Sequence, residues 1–164
     1  MVGDCELSNS MLTVSKLLKE HRTATDRLIL PFEMRQKSRL RAHLESSVEV
    51  GLFLERGTLL RGGDLLLAEN GAVIQVVAAS EKVSTVTARS PRDLTRAAYH
   101  LGNRHMALQV GDTWLRYLHD HVLDEMVRGL GLDVVIEEAP FEPEAGAYGA
   151  HSHGQGFSKA PLKI

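Results

Sequence analysis

The chain has 164 residues, 43% of them hydrophobic, and its 19 Lys and Arg against 21 Asp and Glu leave a formal net charge of −2. That apolar content is ample for the core of one ordinary domain or two small ones, while the charge balance argues against a nucleic-acid binder, whose footprint is usually basic. Cys5 is the only cysteine, which excludes an intrachain disulfide and a cysteine-based zinc site; no stretch approaches the ~20 apolar residues of a membrane span, and the polar, acidic start lacks the features of a signal peptide, so a cytoplasmic protein is expected.

Met1 to Ser10 reads as a disordered extension. From Leu12-Thr13-Val14 onward the first half is β-rich: Arg39-Leu40-Arg41-Ala42-His43-Leu44 alternates polar and apolar residues, and Val48, Val50, Leu52 and Leu54 keep the period of two. Asn70-Gly71, between Leu65-Leu66-Leu67 and Val73-Ile74-Gln75-Val76-Val77, predicts a hairpin with a type I′ turn, and Arg61-Gly62-Gly63-Asp64 marks another turn. Residues 11–80 therefore predict a small barrel or sandwich without a helix. Lys37, Arg39, Arg41 and His43 form a basic stripe at strand spacing, either a solvated face or a surface for an acidic protein partner.

The pattern then changes. Val83, Thr85 and Thr87 fit a strand, and Ser90-Pro91-Arg92-Asp93 opens a helix with an N-cap serine and a proline at the first helical position. Leu94, Ala97, Ala98 and Leu101 make one apolar face, and Gly102 is placed to end the helix in a left-handed cap. Met106, Leu108 and Val110 predict a strand, Gly111-Asp112 a turn, and Thr113 to Leu118 a second strand carrying Trp114 and Tyr117; Tyr99 and Trp114 read as core or interface. A second helix buries Leu123, Met126, Val127 and Leu130 before Gly131, and Val134-Val135-Ile136 is the closing strand. The order βαββαβ is the ferredoxin-like arrangement. The expected fold is α+β: an N-terminal all-β domain over 11–80, a ferredoxin-like domain over 81–140, and a flexible, Gly-rich C-terminal tail over 141–164.

Candidate chemistry rests on histidine. Six of the eight histidines follow residue 99: His100, His105, His119, His121, His151 and His153. Neutral imidazole is the commonest transition-metal ligand on a protein. His105 lies where the first helix turns into a strand, in an exposed junction. One imidazole holds a divalent ion weakly, but a two-fold dimer brings the same residue from both chains to its axis. His119 and His121 flank Asp120 at the start of the second helix, with Asp120 either an oxygen ligand or the N-cap, and with surface solubility as the plainer role of the pair. His151 and His153 project to one side of an extended segment and could close on one ion, or be incidental to a disordered end. His100 sits on the flank of its helix and reads as a surface residue.

Enzyme signatures are missing: there is no P-loop, no Gly-x-Gly-x-x-Gly, no His-Glu-x-x-His and no Gly-x-Ser-x-Gly. Glu137 and Glu138 are neighbours on a strand and face opposite sides, so they do not converge on one bond. A metal-dependent hydrolase would want a carboxylate base beside an ordered three-ligand site. An RRM-like nucleic-acid module shares the element order, but Trp114-Leu115-Arg116-Tyr117-Leu118 lacks its Gly/aromatic pattern.

At Tyr99-His100-Leu101-Gly102-Asn103-Arg104-His105, Leu108-Gln109-Val110 and Leu118-His119-Asp120-His121-Val122-Leu123, the sequence resembles the UreE urease accessory family of nickel metallochaperones, and the likeness extends from Met11-Leu12-Thr13-Val14-Ser15 to Gly146-Ala147-Tyr148-Gly149. The resemblance implies a partner-binding β domain and a ferredoxin-like domain that binds metal and forms a homodimer, with a dimer of dimers open. It implies no enzyme. His105 matches the family's essential nickel ligand, paired with its two-fold mate; His119 and His121 match peripheral sites, and His151 and His153 imply a supplementary role rather than bulk storage. Ni(II) is the implied cargo, Zn(II) or Cu(II) would also bind such a nitrogen-rich site, and the implied recipients are the urease apoprotein and its accessory complex, including the GTPase UreG. Acidification to about pH 6 to 6.5 should release the ion as imidazoles protonate.

Overall fold

The structure, a computed structural model, describes residues 11–145. The N-terminal domain carries strands β1 (Leu12–Leu18), β2 (Asp26–Leu30), β3 (Arg39–His43), β4 (Glu49–Phe53), β5 (Leu65–Ala68) and β6 (Val73–Ala78), with a helical turn α1 (Phe32–Arg35) after β2. Instead of two facing sheets, the strands make one six-stranded sheet in the order β2-β6-β5-β1-β4-β3. Two pairings are parallel, β1 with β4 and β2 with β6. Glu45 N–H, just past β3, donates to the carbonyl of Arg27 in β2 at 2.9 Å, so the sheet rolls until its two edges meet. Val14, Leu28, Val50, Leu52, Leu66, Ile74 and Val76 fill the inside.

Two local expectations change here. The hairpin at Asn70-Gly71 forms, but only Gly71 takes a positive φ, of 87°. Ala68 N–H donates to the Ala72 carbonyl and the Asn70 side chain accepts from Ala72 N–H, which makes a three-residue loop rather than a type I′ turn. The expectation of no helix is also corrected, because α1 is a single helical turn. It is too short to show a 3.6-residue period, and the turn places Arg35 in the interior.

The second domain comprises β7 (Ser80–Thr87), α2 (Pro91–Gly102), β8 (Gln109–Val110), β9 (Trp114–Leu118), α3 (His121–Gly129) and β10 (Asp133–Pro140). Its antiparallel sheet runs β10-β7-β9-β8, the ferredoxin-like order, so the α+β architecture stands. Ser90 caps α2 as its composition predicts, accepting from Asp93 N–H. The two helices cover Val86, Leu115 and Tyr117 with Ala97, Leu101, Leu123 and Val127. Trp114 is half-buried under the guanidinium of Arg116, 4.9 Å from its ring centre, whereas Tyr99 is 65% exposed and is no core residue. Strand β8 is only two residues long, so Met106 and Leu108 pack on the core from irregular chain.

The first residues after β10 do not behave as a free tail. Phe141 is fully buried, edge-on to Phe32 with ring centres 5.4 Å apart. Buried Arg35 donates to the carbonyls of Leu30, Leu60 and Phe141 and lies 3.0 Å from the Glu142 carboxylate. Glu142 also receives Gly62 N–H at 2.7 Å and Arg61 at 3.1 Å. Burial raises its pKa, but Gly62 N–H, Arg61 and Arg35 together outweigh that and hold the carboxyl below its ordinary range. The two domains are thus joined through one charged, hydrogen-bonded seam as well as through the chain.

Candidate metal-handling site

The topology gathers the candidate histidines of the second domain at one end of its sheet. β9 ends where β7 begins, with Val83 opposite Leu118, and β10 ends beside Ser80. α2 returns along the sheet to the start of β8, and α3 starts just after β9. The α2–β8 turn, the β9–α3 junction and the exit of β10 therefore share the end that faces the N-terminal domain.

His105 is exposed in the α2–β8 turn and takes a left-handed backbone, φ 55°. Gly102 does not supply the left-handed cap its position suggested. It remains helical, Asn103 continues with φ −63°, and the reversal falls on the histidine. Asn103 N–H donates to the Tyr99 carbonyl, Arg104 N–H to Leu101 and His105 N–H to Gly102, which winds the chain tightly up to that point. A residue with a Cβ pays ~1–2 kcal/mol for this conformation. Such strain persists where the surroundings over-determine it and concentrates at functional positions. His100 stacks edge-on to the exposed ring of Tyr99, 5.3 Å between centres, on the same helix end.

His119 and His121 are separated by their surroundings. His121 is the first residue of α3 and is exposed. Asp120 between them is the N-cap: one oxygen accepts from Val122 N–H at 2.8 Å and Leu123 N–H at 3.1 Å, and chiefly the Leu123 amide lowers its pKa. His119 turns inward. Its N–H donates to the Lys82 carbonyl, and its ring Nδ1 lies 3.1 Å from Ser84 Oγ and 3.2 Å from Asp124 Oδ2. Asp124 is fully buried and accepts from the Tyr117 hydroxyl at 2.8 Å. Burial, then the hydrogen bond and charge of Asp124, push the Tyr117 hydroxyl well above its ordinary pKa.

Sequence reading missed Asp124, Ser84 and Tyr117 as neighbours of a candidate ligand. Asp124 sits one position past Leu123, on the flank of the apolar stripe, where a carboxylate is ordinarily solvated; only the fold turns it inward beside His119. Among the described residues no three His, Cys, Asp or Glu side chains converge as a metal centre. His105 and the His119–His121 pair lie at one end of the sheet without closing on one ion. His151 and His153 lie outside the described residues. The last described hydrogen bond of the chain is informative, because Glu144 N–H donates to the Leu108 carbonyl at 2.7 Å, three residues beyond His105.

No helix of the described residues is long and apolar enough to cross a membrane. Residues 11–79 match the family model described as UreE urease accessory protein, N-terminal domain, and residues 81–160 match its C-terminal domain. The chain is 58% identical to the urease accessory protein UreE of Alkalilimnicola ehrlichii over 139 residues, covering 85% of each chain. It is 48% identical to that of Nitrosospira multiformis over 158 residues, 93% of this chain and 90% of the relative. With Pseudomonas putida W619 UreE it shares 54% identity over 144 residues, covering 87% and 89% of the two chains. On these matches, and with the two-domain architecture in place, the chain belongs to the UreE family of urease accessory proteins.

Proposed function

We propose that the protein is a nickel metallochaperone of urease maturation rather than an enzyme, carrying Ni(II) between two copies of His105 at the axis of a homodimer. The carrying observation is His105 itself, exposed and held in a left-handed turn at the end of α2. A single imidazole there leaves most of an ion's coordination sphere to other donors, and a two-fold mate doubles the ligand without a second binding motif. Exposed Tyr99, on the last turns of α2, supplies apolar surface for such a contact. The hydrogen bond from Glu144 to Leu108 starts the C-terminal segment close to the same turn. From Glu144, the extended chain to His151 spans up to about 24 Å, enough for His151 and His153 to add labile ligands at His105. His119 and His121 form a weaker, peripheral site.

Neutral nitrogen ligands favour Ni(II) over earlier divalent ions but do not exclude Zn(II) or Cu(II), so selectivity comes from geometry, supply and the recipient. The recipients in this reading are the urease apoprotein and the GTPase UreG of its accessory complex, in the cytoplasm. The N-terminal domain binds protein partners, with the groove lined by Met11, Arg39, Leu40 and Phe53 as its available surface. Titration calorimetry of the full chain with Ni(II) tests the assignment. One tight site per two chains is expected, absent in His105→Ala and weakened by removal of residues 151–164. Unchanged tight binding in His105→Ala refutes it.

A further inference from the structure

The buried cluster behind His119 is built in more detail than a surface histidine requires. Four groups from three elements meet there: Ser84 from β7, Tyr117 from β9, Asp124 from α3, and the imidazole itself. The backbone of His119 is pinned to β7 through Lys82, and the side chain is 21% exposed against 1% for Asp124. Tyr117 satisfies one carboxylate oxygen, whereas the other, Oδ2, has no aligned hydrogen-bond donor. The groups facing that oxygen are the Nδ1 edge of His119 at 3.2 Å and, more distantly, Arg128 at 4.0 Å.

We propose that Asp124 is a positioning residue for His119, holding the ring as the Nδ1–H tautomer so that Nε2 is the nitrogen offered to a divalent transition-metal ion. A lone pair on Nδ1 would set the negative edge of the ring 3.2 Å from a buried carboxylate oxygen, whereas an N–H there sets positive charge beside it. With the proton on Nδ1, the Ser84 hydroxyl accepts from the ring, while the Tyr117 hydroxyl donates to the other oxygen of Asp124. The ring N–H and the Tyr117 hydroxyl then both have acceptors. In the other tautomer Ser84 donates to Nδ1, and Asp124 Oδ2 is left beside the negative edge of the ring. A carboxylate behind a metal-binding imidazole fixes its orientation and raises its basicity, and losing it typically costs 10–100-fold in metal affinity. His119 thus becomes the preset ligand of its pair, with exposed His121 the adaptable one.

The metal-binding half of this inference rests on the proposed carrier function; the orientation half does not. Long-range nitrogen–proton NMR correlations on the metal-free full chain read the tautomer directly. Nδ1–H is expected for His119 in the unaltered protein, with a change toward Nε2–H in Asp124→Asn, whose amide presents N–H to the ring. Tyr117→Phe and Ser84→Ala, which keep the carboxylate, should retain Nδ1–H and guard against a folding defect in Asp124→Asn. Nε2–H in the unaltered protein, or Nδ1–H retained in a folded Asp124→Asn, overturns the positioning role. Ni(II) titration in a His105→Ala background then reads the peripheral site, where Asp124→Asn should weaken binding about 10–100-fold. Binding equal in His119→Ala and its parent overturns the ligand role alone.

Discussion

Replacing Glu142 by Gln tests whether the seam between the domains is held by charge. The carboxylate is about three-quarters buried, with 27% side-chain exposure, and sits 3.0 Å from a guanidinium with no exposed surface. Breaking a fully buried pair by removing one partner costs ~3–5 kcal/mol. Arg35 keeps three carbonyl acceptors, and glutamine can still accept from Gly62 N–H, so the expected loss is nearer the ~1.5–3 kcal/mol of a hydrogen bond to a charged group. For a chain of this size ~2 kcal/mol corresponds to a fall of about 4–8 °C in melting temperature. The pH dependence has a definite sign. The folded carboxyl has its pKa below the ordinary glutamate value of ~4.3, so its contribution is fully present above that value and disappears as pH falls through the lowered one. Thermal and urea melts of both proteins at pH 7.5, 5 and 3.5 should show a gap that is full at the first two and closing at the third. A gap of equal size at all three values, or none at pH 7.5, would refute the charge argument.

Substitutions at two further positions probe the site region. Asp120→Ala removes the cap of α3 and should cost about 1 kcal/mol in urea melts; an unchanged midpoint would show that Val122 and Leu123 find other acceptors. His105→Gly and His105→Ala both remove the imidazole and should both abolish tight nickel binding by calorimetry, but glycine accepts φ 55° without a Cβ. The glycine variant should therefore be more stable than the alanine variant by about 1 kcal/mol, and equal stability would mean that the turn relaxes when the histidine is lost.

Signals carried within a few residues were legible in the sequence. Ser90-Pro91-Arg92-Asp93 specifies a capped helix because cap, proline and acceptor lie within one turn, and Leu123, Met126, Val127 and Leu130 specify the buried face of α3 by their period alone. Strand β2 was not legible. Its Leu28 and Leu30 are too few to show alternation, and its pairing is a parallel one to β6, more than 40 residues away. The left-handed position was read at Gly102 because glycine tolerates it most easily, yet the bonds of Asn103, Arg104 and His105 carry the winding on to the histidine.

Local chemistry and hydrophobic period by themselves determined the element order of the second domain, its ferredoxin-like class and the stretch from Tyr99 to His121 that carries the family likeness. Long-range packing decided the rest. It placed Asp124 and Tyr117 behind His119, brought Phe141 and Glu142 onto Arg35, and started the C-terminal segment beside Leu108. Those contacts join residues up to 107 positions apart, and no pattern in a short window encodes which buried charge will meet which partner. The pairing becomes determinate only when the sheet aligns the strands and burial removes water as the alternative partner.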